Sequence, residues 1–174
     1  MNFIRWVTIK SKSCRADIQT EDSVGVVFLA PEAPTDDANN RSAVLRITYG
    51  DFAAGLMGDA EAPEEAILLS KSTGLKAQVL KVGHHGSATS TTAALLERVK
   101  PSVAIVSVGA GNQYGHPDRG ILDRLASGGA AIYRTDKTGT IVIQTDGKTY
   151  SAGKRQLPKV SRLILFTGVL LLCS

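Results

Sequence analysis

Histidine is scarce and lopsided: the chain holds three, His84, His85 and His116, and none precedes residue 84. Cysteine is scarcer still. Cys14 and Cys173 stand at opposite ends, and two such residues make neither a disulfide framework nor a thiolate metal site. Long apolar runs are missing too. The run at 163–173, LILFTGVLLLC, has 11 residues, where a bilayer-spanning helix needs about 20. It fits a buried strand, a lipid-surface anchor or the beginning of a longer span. Residues 1–20 are broken up by Arg5, Lys10, Lys12, Arg15 and Asp17, so no signal peptide is expected: an apolar centre and a small-residue cleavage site are both lacking. Internal repeats and low-complexity tracts are absent as well.

What is present is an ordinary globular composition: 174 residues, 43% hydrophobic and 21% charged, with 17 glycines. A mass of 18.4 kDa and a mean hydropathy of +0.02 fit one domain, or part of a larger one, and not an integral membrane protein. The formal charge of +4 is concentrated at one end. Lys148, Lys154, Arg155, Lys159 and Arg162 against Asp146 alone account for all of it, which leaves residues 1–145 formally neutral. A globally basic nucleic-acid face is therefore not supported, whereas a basic C-terminal tail is. Such a tail reads as a solvated linker or as a hold on an acidic surface.

Hydrophobic patterning predicts short strands alternating with helices. Strands are expected at 24–29, 43–48 and 52–57, with Tyr49-Gly50-Asp51 as a tight turn between the last two. A helix is expected at 63–73, where Pro63 fits the first turn, Glu64 and Glu65 suit the N-terminal dipole, and Gly74 ends it. Then come a strand at 77–82 and the loop GHHGSATS. Ser90 or Thr91 should cap a helix running to Val99, with Ala94, Leu95 and Val99 inward. Residues 103–108 read as a doubly covered strand and 117–127 as a helix. Residues 130–134 and 140–145 read as a closing hairpin across Lys137-Thr138-Gly139. Helices between strands put the chain in the α/β (α+β) class. The segments divide as 1–23, a domain at 24–150, and a basic then apolar tail at 151–174.

Two loops place metal-capable side chains at the carboxyl end of a strand, where ligands bind in layered α/β folds. Asp59 follows one strand through Gly58, and His84 and His85 follow another through Gly83. Glycine lets the chain turn sharply there and a ligand approach. His116 lies in Tyr114-Gly115-His116-Pro117. Taken singly, these residues read equally as a turn aspartate, a surface histidine pair and a loop histidine.

Their order and flanks carry more. Gly58-Asp59-Ala60-Glu61, then Val82-Gly83-His84-His85-Gly86-Ser87 with Thr89-Ser90, then Lys100-Pro101 and Ser107-Val108-Gly109, then Asn112-Gln113-Tyr114-Gly115-His116-Pro117 resemble the metallo-β-lactamase-fold hydrolases related to the C-terminal domain of the competence protein ComEC. Asn40-Arg41-Ser42 and Ile132-Tyr133-Arg134-Thr135-Asp136 extend the likeness over about residues 24–150. The resemblance implies an αββα sandwich with one or two ions, zinc or manganese, that activate water for hydrolysis. It implies Asp59 as a metal-bridging aspartate and a GHHGS histidine as a late ligand, His84 favoured over His85. His116 would be a proton donor or substrate contact, and Ser87 and Tyr114 would be substrate-binding.

The same resemblance implies an earlier H-x-H-x-D-H cluster, and no such segment occurs here. The chain thus corresponds to the C-terminal half of the domain, its N-terminal half missing, with at most three ligands of its own. Two functional readings follow. One is a metal-dependent hydrolase with nucleic acid as substrate, in DNA uptake. The other is a non-catalytic module that holds DNA or anionic lipid through the tail near Lys154–Arg162. Half a sandwich is expected to leave one apolar face exposed, so the missing half, a homo-oligomer or a partner should be needed for stability. The resembling domain works on the outer face of the bacterial membrane; membrane association here would run through the 163–173 tail, and compartment is otherwise open.

Overall fold

A computed structural model describes residues 17–19, 24–31, 36–154 and 169–172. Its frame is a seven-stranded sheet whose spatial order follows the chain. Strands β1 (Asp17–Gln19), β2 (Val24–Ala30), β3 (Val44–Tyr49) and β4 (Phe52–Leu56) form an antiparallel meander. From β4 onward the pairing is parallel, through β5 (Val79–Lys81), β6 (Val103–Val106) and β7 (Ala131–Arg134). Parallel neighbours need crossovers, and three helices supply them: α1 (Ala62–Lys71), α2 (Ala93–Val99) and α3 (Arg119–Ser127).

Strand alternation sorts the core into two layers. Ala53, Leu80, Ala104 and Val106 point to one side and pack with Leu68 of α1, Leu95, Leu96 and Val99 of α2, and Ile121 and Leu125 of α3. Phe52, Ala54, Val79, Val103 and Ile105 point to the other side. There they meet Ile141 and Ile143 of β8 (Ile141–Thr145), with Tyr150 and Ala152 of β9 (Tyr150–Lys154) alongside. Strand β8 is the centre of a second, antiparallel sheet between β9 and β10 (Val169–Leu172). The described layers are thus helix, sheet, sheet.

Several expectations change. Residues 130–134 and 140–145 do not pair: β7 is the parallel neighbour of β6, and the single turn α4 (Thr135–Thr138) sends the chain into the other sheet. The apolar face expected to be bare is covered over β4–β6 by β8 and β9 of the same chain. Composition alone does not reveal which sheet a strand joins, so the covering layer was not foreseen. Helix α2 starts later than expected, with Thr92 as its N-cap accepting from the Leu95 amide. Leu96 is buried where Ala94 was expected, and Ala94 is exposed. Of the 163–173 run, Val169–Leu172 forms the edge strand β10, and the rest lies outside the described residues, as do Arg155, Lys159 and Arg162. No helix among the described residues is long and apolar enough to cross a membrane.

Candidate functional site

Asp59, His84, His85 and His116 come from loops that leave β4, β5 and β6 at their carboxyl ends, so the parallel order of the strands brings them together. Each loop is tied to its neighbour. The His84 amide donates to the Gly58 carbonyl at 3.0 Å, and the Asp118 amide donates to the Gly86 carbonyl at 2.8 Å. Gly58 has φ +55, and a Cβ there would lie 2.8 Å from that of Ser42. Gly86 has φ +82, and a Cβ would lie 2.6 Å from Pro117 Cβ. Both positions need glycine for conformation and for space.

His84 and His85 adopt φ +42 and φ +54, left-handed values that ordinary side chains avoid at about 1–2 kcal/mol each. The strain is held by a dense set of bonds. The Gly83 amide donates to Thr91 Oγ1, and Ser90 Oγ donates to the carbonyls of Gly83 and Ser87. Glu65, wholly buried on α1, accepts from the Thr91 and Thr92 amides at the start of α2. The Thr92 amide is an otherwise orphaned donor at the helix N-cap and the Thr91 amide lies just before it, so Glu65 fixes the far end of the histidine loop.

The ring nitrogens are oriented by their partners. His84 Nδ1 lies 2.9 Å from Glu61 Oε1, and His85 Nδ1 lies 2.7 Å from the Ser107 carbonyl. Both partners only accept, so each Nδ1 carries the proton and donates, and in the neutral rings each Nε2 is left with a lone pair. This is the arrangement of histidines that ligate through Nε2 while an outer acceptor fixes the tautomer. His85 Nε2 faces Asp59 Oδ1 at 3.6 Å, with both side chains close to half exposed. The two acceptor atoms converge on one another without a direct hydrogen bond between them.

Glu61 is a functional candidate that residue typing left without a role. Its Oε1 also accepts from Asn39 Nδ2 at 3.1 Å and Thr89 Oγ1 at 3.0 Å, and its amide donates to Asn40 Oδ1. The available signal was its place two residues after Asp59 in the Gly58-Asp59-Ala60-Glu61 motif. Lys81 sends Nζ to the carbonyls of Gly58 and Val82 at 3.2 Å each. Burial pushes its ammonium pKa down, partly offset by the Asp59 carboxylate.

His116 sits beside His84, ring centres 5.8 Å apart and edge-on at 63°. Burial lowers its pKa, the Coulombic influence of the neighbouring His84 and His85 lowers it further, and Asp118 acts in the raising direction. Tyr114 stacks on His116 at 5.9 Å and 20° and is 73% exposed. Ser87 is buried and turned inward, with Oγ 2.9 Å from Thr89 Oγ1. The fold therefore gathers Asp59, His84, His85, His116 and Tyr114 at one mouth and turns Ser87 into the loop.

Zinc or manganese fits this donor chemistry in part. Two donors at about 2.0–2.1 Å from a tetrahedral ion stand roughly 3.3 Å apart, close to the 3.6 Å between His85 and Asp59. Among the described residues, however, no group of three or more potential ligands is close enough to hold an ion. The described residues offer a pair of potential ligands and not a complete shell.

A scan against protein-family models finds no match. Relatives do exist among curated proteins. The chain is 38% identical over 128 residues to ComE operon protein 3 of Bacillus subtilis (strain 168), covering 73% of this chain and 16% of that one. It is 38% identical over 122 residues to Competence protein ComA of Neisseria gonorrhoeae, covering 69% and 18%. It is 40% identical over 103 residues to Recombination protein 2 of Haemophilus influenzae, covering 59% and 13%. The chain thus spans about a sixth of the length of these relatives, and its similarity is to one segment of ComEC-like competence proteins.

Proposed function

We propose that this chain forms one wall of a metal-dependent hydrolase site of the metallo-β-lactamase kind, acting on nucleic-acid phosphodiesters within a competence-type DNA-uptake protein. The observation that carries the proposal is the facing pair, Asp59 Oδ1 and His85 Nε2 at 3.6 Å, with the opposite nitrogen of His85 anchored on the Ser107 carbonyl. The names of the relatives support competence as the setting; hydrolysis rests on the pair and on the resemblance of the motifs.

Asp59 and His85 would hold zinc or manganese, and His84 Nε2 stands ready on the adjoining residue. When bound, such an ion lowers the pKa of a water toward 7 and so supplies hydroxide at neutral pH. The residues of this chain do the rest. Glu61 and the Ser107 carbonyl keep each imidazole presenting Nε2, which secures the geometry without reorganisation during reaction. His116, one ring away, is placed to contact substrate or to protonate a departing oxygen. The remaining ligands would come from outside the described residues, in the longer protein of which the chain resembles a segment.

A second reading is a binding module without catalysis. It is favoured by one fact: the described residues hold no group of three ligands. Metal stoichiometry by plasma mass spectrometry separates the two, read beside an Asp59→Ala, His84→Ala, His85→Ala variant. About one equivalent of zinc or manganese, lost in the variant, is the result expected for a hydrolase wall. No metal in either protein leaves the binding module.

A further inference from the structure

Among the described residues one large apolar side chain is left in water: Tyr114, 73% exposed. The loop that carries it is closed at its base. Asn112 Oδ1 accepts from the His116 amide at 3.0 Å, and Asn112 Nδ2 donates to the carbonyls of His116 at 2.7 Å and Gly109 at 3.2 Å. Gly111 and Gly115 take φ +68 and φ +71, and around neither would an added Cβ meet any atom within 4 Å. The tip therefore projects into open space from a fixed base. Within it the Tyr114 ring stacks against His116 at 20°, ring centres 5.9 Å apart, and stays 73% exposed.

We propose that Tyr114, backed by His116, is a stacking platform for an unpaired base of single-stranded nucleic acid at the mouth of the site. The platform rests on the nucleic-acid reading given above. A flat π face in water is a sequence-tolerant receptor for a base. The ring is isolated, with no second exposed large apolar residue beside it among the described residues. That suits a single planar ligand better than a protein, whose docking needs a contiguous apolar patch. Continuity with the site supports the assignment. Tyr114 touches His116, His116 touches His84 at 5.8 Å, and His84 adjoins His85 at 6.3 Å between ring centres. A base on Tyr114 would set its strand beside the Asp59–His85 pair. Holding the ring ready in advance also removes an ordering cost from binding.

The test is fluorescence anisotropy with the full chain in EDTA, so that neither metal nor hydrolysis enters. Two labelled single strands of roughly 12 nucleotides serve as probes, one carrying thymine bases and one abasic throughout. The wild type is expected to prefer the base-bearing strand. Tyr114→Ala should weaken that strand alone by about 5- to 150-fold, and Tyr114→Phe should keep the preference. An unchanged melting curve for both variants is expected of so exposed a position. No preference in the wild type, no binding of either strand, or equal losses for both strands in Tyr114→Ala would overturn the platform. Metal stoichiometry tests the hydrolase reading separately: base preference without metal binding removes the hydrolase and keeps the platform, and metal binding without base preference does the reverse.

Discussion

The two halves of the site mouth are built in opposite ways. The floor, from Gly58 to Glu65 and from Gly83 to Thr92, is crowded: buried glycines, inward hydroxyls, and two carboxylates that each gather several donors. The rim, from Gly109 to Gly115, has one asparagine clamp and otherwise open space. Strained histidine backbones persist only on the floor, where surrounding bonds over-determine them. The rim carries the exposed ring. Side-chain geometry is fixed where the chain is crowded, and access is left where it is open.

The comparison makes ordered predictions. The largest effect belongs to Glu65→Ala, which strands two amides at the start of α2 in a buried setting; a loss of about 4 kcal/mol is expected from the usual penalty per unsatisfied donor. Urea unfolding measures it, and a loss below 1 kcal/mol would mean that the floor is not held by this carboxylate. Gly58→Ala should follow at about 3 kcal/mol, from the left-handed conformation together with contact on Ser42. On the rim, Gly111→Ala meets nothing and should cost about 1 kcal/mol, the conformational part alone. Equal costs at the two glycines would erase the contrast.

Glu61→Ala is a subtler break. It should lower stability by about 1 kcal/mol and release His84 from the Nδ1–H tautomer, which nitrogen-15 NMR of the imidazole reads directly. An unaltered tautomer would remove Glu61 from the orienting role.

The smallest effect lies at the junction between the sheets. Arg134 pairs with Asp136 through two bonds, 2.7 and 3.0 Å, and this hydrogen bonding holds the Asp136 pKa below 3.8. A depressed folded-state pKa adds stability that is full above the unfolded value and lost as pH falls through the folded one. Wild type should therefore exceed Asp136→Asn in stability at pH 6, and the gap should narrow below pH about 3.8 as the carboxylate protonates. A gap that stays constant with pH would assign the difference to packing.

Much of this was legible in the sequence where the physics is local. The alternation at 24–29, 43–48, 52–57 and 103–108, the proline and acidic start of α1, and glycines ahead of Asp59 and His84 all appear as elements near those bounds. Strand pairing is not local. The 130–134 and 140–145 segments look like a hairpin because each is a short apolar run flanking a turn. Their separation into two sheets follows from β6 offering a parallel edge to the first and the apolar underside of β4–β6 offering cover for the second. Glu61 was hidden for the same reason, since its donors come from Asn39, His84 and Thr89.

The sequence by itself determined the α/β class, the loops that bear chemistry and the residue types on them, because periodicity, turn chemistry and side-chain donors are properties of short segments. Only the tertiary structure decided which histidine nitrogen faces Asp59, that Ser87 turns inward while Tyr114 turns out, and that a second sheet closes the core. The first and the last depend on contacts between segments far apart in the chain, settled only when β4, β5 and β6 lie side by side.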